Sequence, residues 1–193
     1  LALGHTGAEY DAWLIRIHEG QQFGSGFVGV NPNSKIPALL DCSGSQPVRV
    51  FESGAILLYL AEKSGKFLPA DPAARWETIS WLMWQMGGVG PMAGQAHHFL
   101  NYAPSMDPPN DLPYAKERYR NEVARLYGVL NRRLADRDYV AGDYSIADMA
   151  IWPWARGWEG QRQDITQFPN MAAWLDRIWE RPAVKLGFAL AED

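Results

Sequence analysis

Two dipeptides stand out for the chemistry that their residue types allow: Ile36-Pro37 and Glu52-Ser53. Asn33-Ser34-Lys35-Ile36-Pro37-Ala38 puts a proline at the start of a predicted strand, where its missing N–H removes no ladder bond. A trans bond there would simply end a loop. A cis bond, found almost only before proline, would turn the N–H and C=O of Ile36 outward, able to pair with an extended peptide as an added strand does. Val50-Phe51-Glu52-Ser53-Gly54 ends a strand and begins a helix, with Ser53 read as its N-cap. Ser53 is then either a cap alone or a cap that also receives a ligand. A helix start offers unused N–H groups and the positive end of a dipole, both favourable to a carboxylate. Glu52 supplies the opposite charge next door, suited to an ammonium. Together they fit an α-amino acid head group. Ser53 is not read as a hydrolase nucleophile, because Phe51-Glu52-Ser53-Gly54-Ala55 lacks the glycine pattern of that elbow.

These dipeptides need elements to hold them. Residues 1–4 read as the tail of a helix, with Gly4 at its cap. Residues 10–17 carry the apolar and β-branched types of a strand. Phe23, Phe27 and Val30 have helical spacing over 22–30, and Asn31-Pro32-Asn33 breaks that helix. Short strands are expected over 37–41 and 48–51, joined at Ser43-Gly44-Ser45, and a helix over 53–63 stops at Gly65. This is an α/β unit. After Phe67-Leu68-Pro69 the strand patterns cease. Trp76, Ile79, Met83 and Met86 mark one helical face, and Tyr119, Val123, Leu126, Leu130 and Leu134 mark another. Further helices are expected over 145–157, 171–180 and 183–190. The chain therefore reads as an α/β domain over 1–67 and an all-helical domain over 73–193.

Composition narrows the possibilities. A formal charge of −4 gives no basic footprint for nucleic acid. No apolar run reaches the roughly 18 residues of a membrane span, and no signal peptide is read. A single cysteine, Cys42, rules out an internal disulfide framework and points to a reducing compartment. Cys42 has no partner for redox chemistry and reads as inert. The adjacent His97 and His98 diverge on a helix, and no ligand spacing accompanies them, so no metal is expected. Ser145-Ile146-Ala147-Asp148 has capping-box spacing, flanked by Tyr144 and Met149 as a hydrophobic staple, and reads as a folding element. Trp81, Trp84, Phe99, Trp152, Trp154 and Trp158 read as helical core, with a minority free to line an apolar cleft.

Taken with Phe51-Glu52-Ser53-Gly54-Ala55-Ile56-Leu57-Leu58-Tyr59-Leu60-Ala61-Glu62-Lys63, Gly87-Gly88-Val89-Gly90-Pro91-Met92 and Tyr144-Ser145-Ile146-Ala147-Asp148-Met149-Ala150-Ile151-Trp152-Pro153-Trp154, the chain resembles the glutathione transferases over essentially its whole length. Within them it is most similar to the bacterial nu class, which are glutathione-dependent disulfide-bond reductases, and to the related fungal prion-forming nitrogen regulator. The resemblance implies a thioredoxin-like N-terminal domain with Pro37 as its cis-proline, followed by an all-α domain. It implies glutathione as co-substrate, without a metal. Ile36 would pair with its cysteinyl part, and Glu52 and Ser53 would hold its γ-glutamyl end. Gln22 would make a side-chain contact, with Gln21 its neighbour in the motif, and Arg125 would reach a carboxylate, although by sequence alone it reads equally as a solvated helix-face charge. Lys35 is a further candidate for the glycyl carboxylate. In the nu class a first strand leads into a loop whose threonine and asparagine touch the glutathione sulfur. The corresponding residues are expected to precede Leu1, so no sulfur-activating residue is named and the natural protein is expected to be longer. The resemblance further implies a cytoplasmic homodimer acting on a small disulfide. The alternatives are transfer to small electrophiles or reduction of hydroperoxides, and a non-catalytic regulator that binds glutathione.

Overall fold

The computed structural model describes residues 2–189; Leu1 and Leu190, at the ends of two expected helices, lie outside them. The chain divides into two compact units, Ala2–Lys66 and the residues from Phe67 onward. The first contains α1 (Ala2–Thr6), 3₁₀ turns at Ile17–Glu19 and Gln21–Phe23, α2 (Ser25–Val30), β1 (Ala38–Asp41), β2 (Val48–Phe51) and α3 (Ser53–Ser64). The strands pair antiparallel, with Ala38 opposite Phe51 and Asp41 opposite Val48. Helix α3 ends where Gly65 takes a left-handed conformation (φ 66°) and returns its N–H to the Ala61 carbonyl.

Three expectations for this unit need correction. Helix α1 runs through Gly4 to Thr6, and Gly7 (φ 75°) takes the left-handed conformation expected of Gly4. The strand over 10–17 does not form. Its side chains favour a strand, but a strand is held by ladder bonds to a neighbour, and none pairs with it among the described residues. Trp13 there is 86% exposed. The single helix over 22–30 splits at Gly24, whose extended backbone (φ −64°, ψ 143°) separates the second 3₁₀ turn from α2.

In the second unit, Asp71 caps α4 (Pro72–Trp84) by accepting the Ala74 N–H at 2.9 Å, with Pro72 at the first helical position. The chain continues through a π-helical turn, Gln85–Val89, into α5 (Gly90–His97) and a second π turn, His98–Tyr102. Pro91 has no N–H to offer the preceding turn, which supplies a reason for the first π turn just before it. At Gly90 an added Cβ would lie 2.7 Å from Gln85 Nε2, so a larger residue would have to displace that buried side chain. Helices α6 (Pro113–Arg133), α7 (Ile146–Arg156), α8 (Pro169–Trp179) and α9 (Pro182–Ala189) complete the unit.

The core runs through Leu82, Val89, Val123, Leu126, Tyr127, Leu130, Ile151, Trp152, Met171, Trp174 and Ile178. On α4 the buried positions are Thr78 and Leu82; Trp76 is 65% and Met83 47% exposed, so the apolar face read from sequence is largely a surface. Of the tryptophans read as core, Trp152 is fully buried and Trp154 remains 38% exposed. Trp152 satisfies its indole N–H on the Leu175 carbonyl at 3.0 Å.

The capping box forms as expected. Ser145 Oγ accepts the Ala147 N–H at 3.3 Å, and the Asp148 carboxylate accepts the Ser145 N–H at 3.0 Å. Tyr144 and Met149, the staple pair, are both buried. Ser145→Ala should therefore lower stability by about 1 kcal/mol in chemical denaturation. No measurable change would mean that the box contributes nothing here.

Candidate functional site

An antiparallel hairpin returns to the end from which it started, so the residues before β1 and after β2 emerge together. Ala38 opposite Phe51 therefore sets Ile36-Pro37 beside Glu52-Ser53. Their adjacency was not stated by either motif alone; it follows from the register.

At Glu52 the chain passes from strand to helix within one residue, with φ 70° and ψ 123°. That combination lies outside the regions ordinary side chains occupy and carries a strain of about 1–3 kcal/mol. The cap also falls one residue earlier than expected. Glu52 is the N-cap, its carbonyl accepting the Ile56 N–H at 3.0 Å, and Ser53 is the first helical residue. The Glu52 carboxylate makes no capping bond. It stays exposed beside a helix start where Gly54 and Ala55 lie too early to find acceptors in their own helix. An anion receiver and an ammonium receiver thus adjoin one another.

The Ile36–Pro37 bond is cis, and Ile36 is 51% exposed. The loop before it is organised by a residue that sequence reading took only as a helix breaker. Asn31 is fully buried. Its Oδ1 accepts the Asn33 N–H at 2.9 Å, its Nδ2 donates to the Lys35 carbonyl at 2.5 Å, and its own carbonyl accepts the Ser34 N–H at 3.1 Å. An asparagine two residues before an N–H donor, with proline between, is the pattern of a side-chain-closed turn and was the available signal.

Of the two neighbouring glutamines, Gln21 is engaged locally: Oε1 accepts the Arg16 N–H at 2.9 Å and Nε2 donates to Glu19 at 3.0 Å. Gln22 is half-buried, and its Oε1 is buried without a donor among the described residues. Lys35 is exposed.

The far end of the hairpin is tied to α3. Asp41 accepts from the Tyr59 hydroxyl at 2.6 Å, from Lys63 and from the Ser43 N–H at 2.9 Å. The Lys63 ammonium, then Tyr59 and Ser43, hold the Asp41 carboxyl well below its ordinary value of 3.8. Its stabilising share is present above that value and lost only as pH falls through the lowered one. Cys42 is exposed at this end of β1, remote along the strand from Ile36.

Arg125 belongs to the second unit, on α6. It donates from Nε and a terminal nitrogen to both oxygens of Glu122, at 2.8 and 2.7 Å. Its side chain remains 60% exposed. Met92, Tyr114, Arg118, Glu122 and Arg125 are among the residues lining an open depression of about 720 Å³ in that unit. Among the described residues no group of three or more His, Cys, Asp or Glu could hold a metal, and no helix is long and apolar enough to cross a membrane.

Residues 1–62 match the family model described as the glutathione S-transferase N-terminal domain, and residues 95–182 match that of the C-terminal domain. The chain is 52% identical to disulfide-bond oxidoreductase YghU of Escherichia coli over 97% of its own length and 66% of that protein's. It is 49% identical to disulfide-bond oxidoreductase YfcG of the same organism, covering 91% of this chain and 82% of that one. It thus spans just under two thirds of the first relative's length. A glutathione transferase from Pseudomonas putida, solved with one glutathione disulfide per subunit, superposes with a TM-score of 0.90 at 42% identity, over 96% of this chain and 83% of that one.

Proposed function

Because the chain belongs to the glutathione S-transferase family, with a thioredoxin-like first unit and an all-helical second one, we propose that it is a glutathione-dependent disulfide-bond oxidoreductase. The observation that carries the site is the hairpin register, which sets an exposed Glu52 and the start of α3 beside Ile36-Pro37. In this reading Glu52 receives the α-ammonium of the γ-glutamyl group, and Ser53 and the first turn of α3 receive its carboxylate. Ile36 meets the cysteinyl backbone beside Pro37, and Gln22 makes a side-chain contact. Arg125 is assigned to a glutathione carboxylate, for which the ligand competes with Glu122.

The sulfur chemistry is that of glutathione itself. Its thiolate attacks a disulfide R–S–S–R, forming G–S–S–R and releasing R–S⁻, which takes up a proton. A second glutathione thiolate attacks the mixed disulfide, giving glutathione disulfide and a second thiol. The protein's part is to bind and orient, and no protein thiol enters. We assign the site residues on this basis, together with a cytoplasmic homodimer. The single cysteine and the exposed Trp76 and Met83 on α4 are consistent with those two assignments.

Full-length protein assayed with glutathione and a small hydroxyalkyl disulfide, beside an aryl halide and a hydroperoxide, tests the reading. Turnover of the disulfide is expected, and Cys42→Ala should retain it in full. Turnover of the halide or hydroperoxide alone would replace the reductase with a transferase or peroxidase. Binding of glutathione with no turnover of any of them would make the protein a regulator.

A further inference from the structure

A buried amide behind the candidate site fixes the direction of one of its donors. The Lys35–Ile36 peptide bond is trans, so the Lys35 C=O and the Ile36 N–H belong to one plane and point in opposite directions. Asn31 Nδ2 holds that carbonyl at 2.5 Å from a side chain that is fully buried. The Ile36 N–H must then point away from Asn31, and it has no acceptor among the described residues. The amide of Asn31 has one workable orientation. Reversing it would set an N–H against the Asn33 N–H and an oxygen against the Lys35 oxygen. Ser34 in the same loop has φ 55°, a conformation that a loosened loop would leave.

We propose that Asn31 is a positioning residue for glutathione: by clamping the Lys35 carbonyl it orients the Ile36 N–H toward the ligand, without touching the ligand itself. This rests on the glutathione reading above. The discriminating variant is Asn31→Asp, which keeps an acceptor for the Asn33 N–H but replaces the amide donor facing the Lys35 carbonyl with an oxygen. Asn31→Ala removes both bonds. With full-length protein, both should raise the KM for glutathione about tenfold or more, as for loss of one well-aligned hydrogen bond, while kcat at saturating glutathione stays within about twofold. Ser145→Ala, a stability control in the other unit, should move neither. Unchanged KM in both variants, or equal losses from Ser145→Ala, would overturn the proposal. Amide hydrogen exchange on the unmodified protein covers the case in which neither variant folds. Ile36 should exchange rapidly when free and slowly with glutathione. Slow exchange in the free protein would show the N–H turned inward and defeat the inference. Fast exchange with no glutathione binding would leave that orientation standing and remove the glutathione reading instead.

Discussion

Replacing Asp148 with alanine is expected to lower the unfolding free energy by at least about 3 kcal/mol, measured by denaturant titration with tryptophan fluorescence. The carboxylate is fully buried and accepts four bonds. Oδ1 takes the Val140 N–H at 3.0 Å and the Trp174 indole N–H at 2.9 Å; Oδ2 takes the Ser145 N–H at 3.0 Å and its hydroxyl at 3.2 Å. Burial pushes its pKa up, and those donors pull it back. Alanine would strand three buried N–H groups, at about 1–3 kcal/mol each. An asparagine side chain there would still present N–H against N–H on one side, so Asp148→Asn should recover only part of the loss. A loss below about 1 kcal/mol from Asp148→Ala would show that the loop relaxes and water takes over those donors.

Glu52→Ala is expected to weaken glutathione by about 1.5–3 kcal/mol, roughly 10- to 100-fold in Kd, by removing a charge-assisted hydrogen bond. Calorimetric titration of full-length protein measures it. A parallel melting curve separates that loss from any change in fold. Because the carboxylate makes no capping bond, the variant should melt near the parent temperature. An unchanged Kd would remove the site assignment, since no other residue in that turn can receive an ammonium.

Much of the frame was legible because short-range rules decided it. The strand over 48–51 and the helix from Ser53 to its glycine stop were readable from alternation, helical spacing and Gly65. The three-four spacing from Val123 through Leu126 to Leu130 identified the buried face of α6, and Ser145 and Asp148 identified the cap of α7. What escaped depended on partners beyond the local pattern. Residues 10–17 have strand-forming side chains but no described neighbour. The face of Trp76 and Met83 has helical period, but the helix turns Thr78 and Leu82 to the core. The π turn at Gln85–Val89 shifts the helical phase, so a 3.6-residue template loses α5. At the candidate site, residue types singled out Ile36, Pro37 and Glu52, which the hairpin register brings together. Asn31 was missed because its work is done through a carbonyl four residues away.

The backbone strain at Glu52 has a consequence for anyone improving this protein. A directed-evolution screen scored on heat resistance would favour glycine at position 52, which has no Cβ to strain at φ 70°. Every such winner would be selected for discarding the carboxylate. The position offering an easy gain in thermostability is the one that a screen for activity should hold fixed.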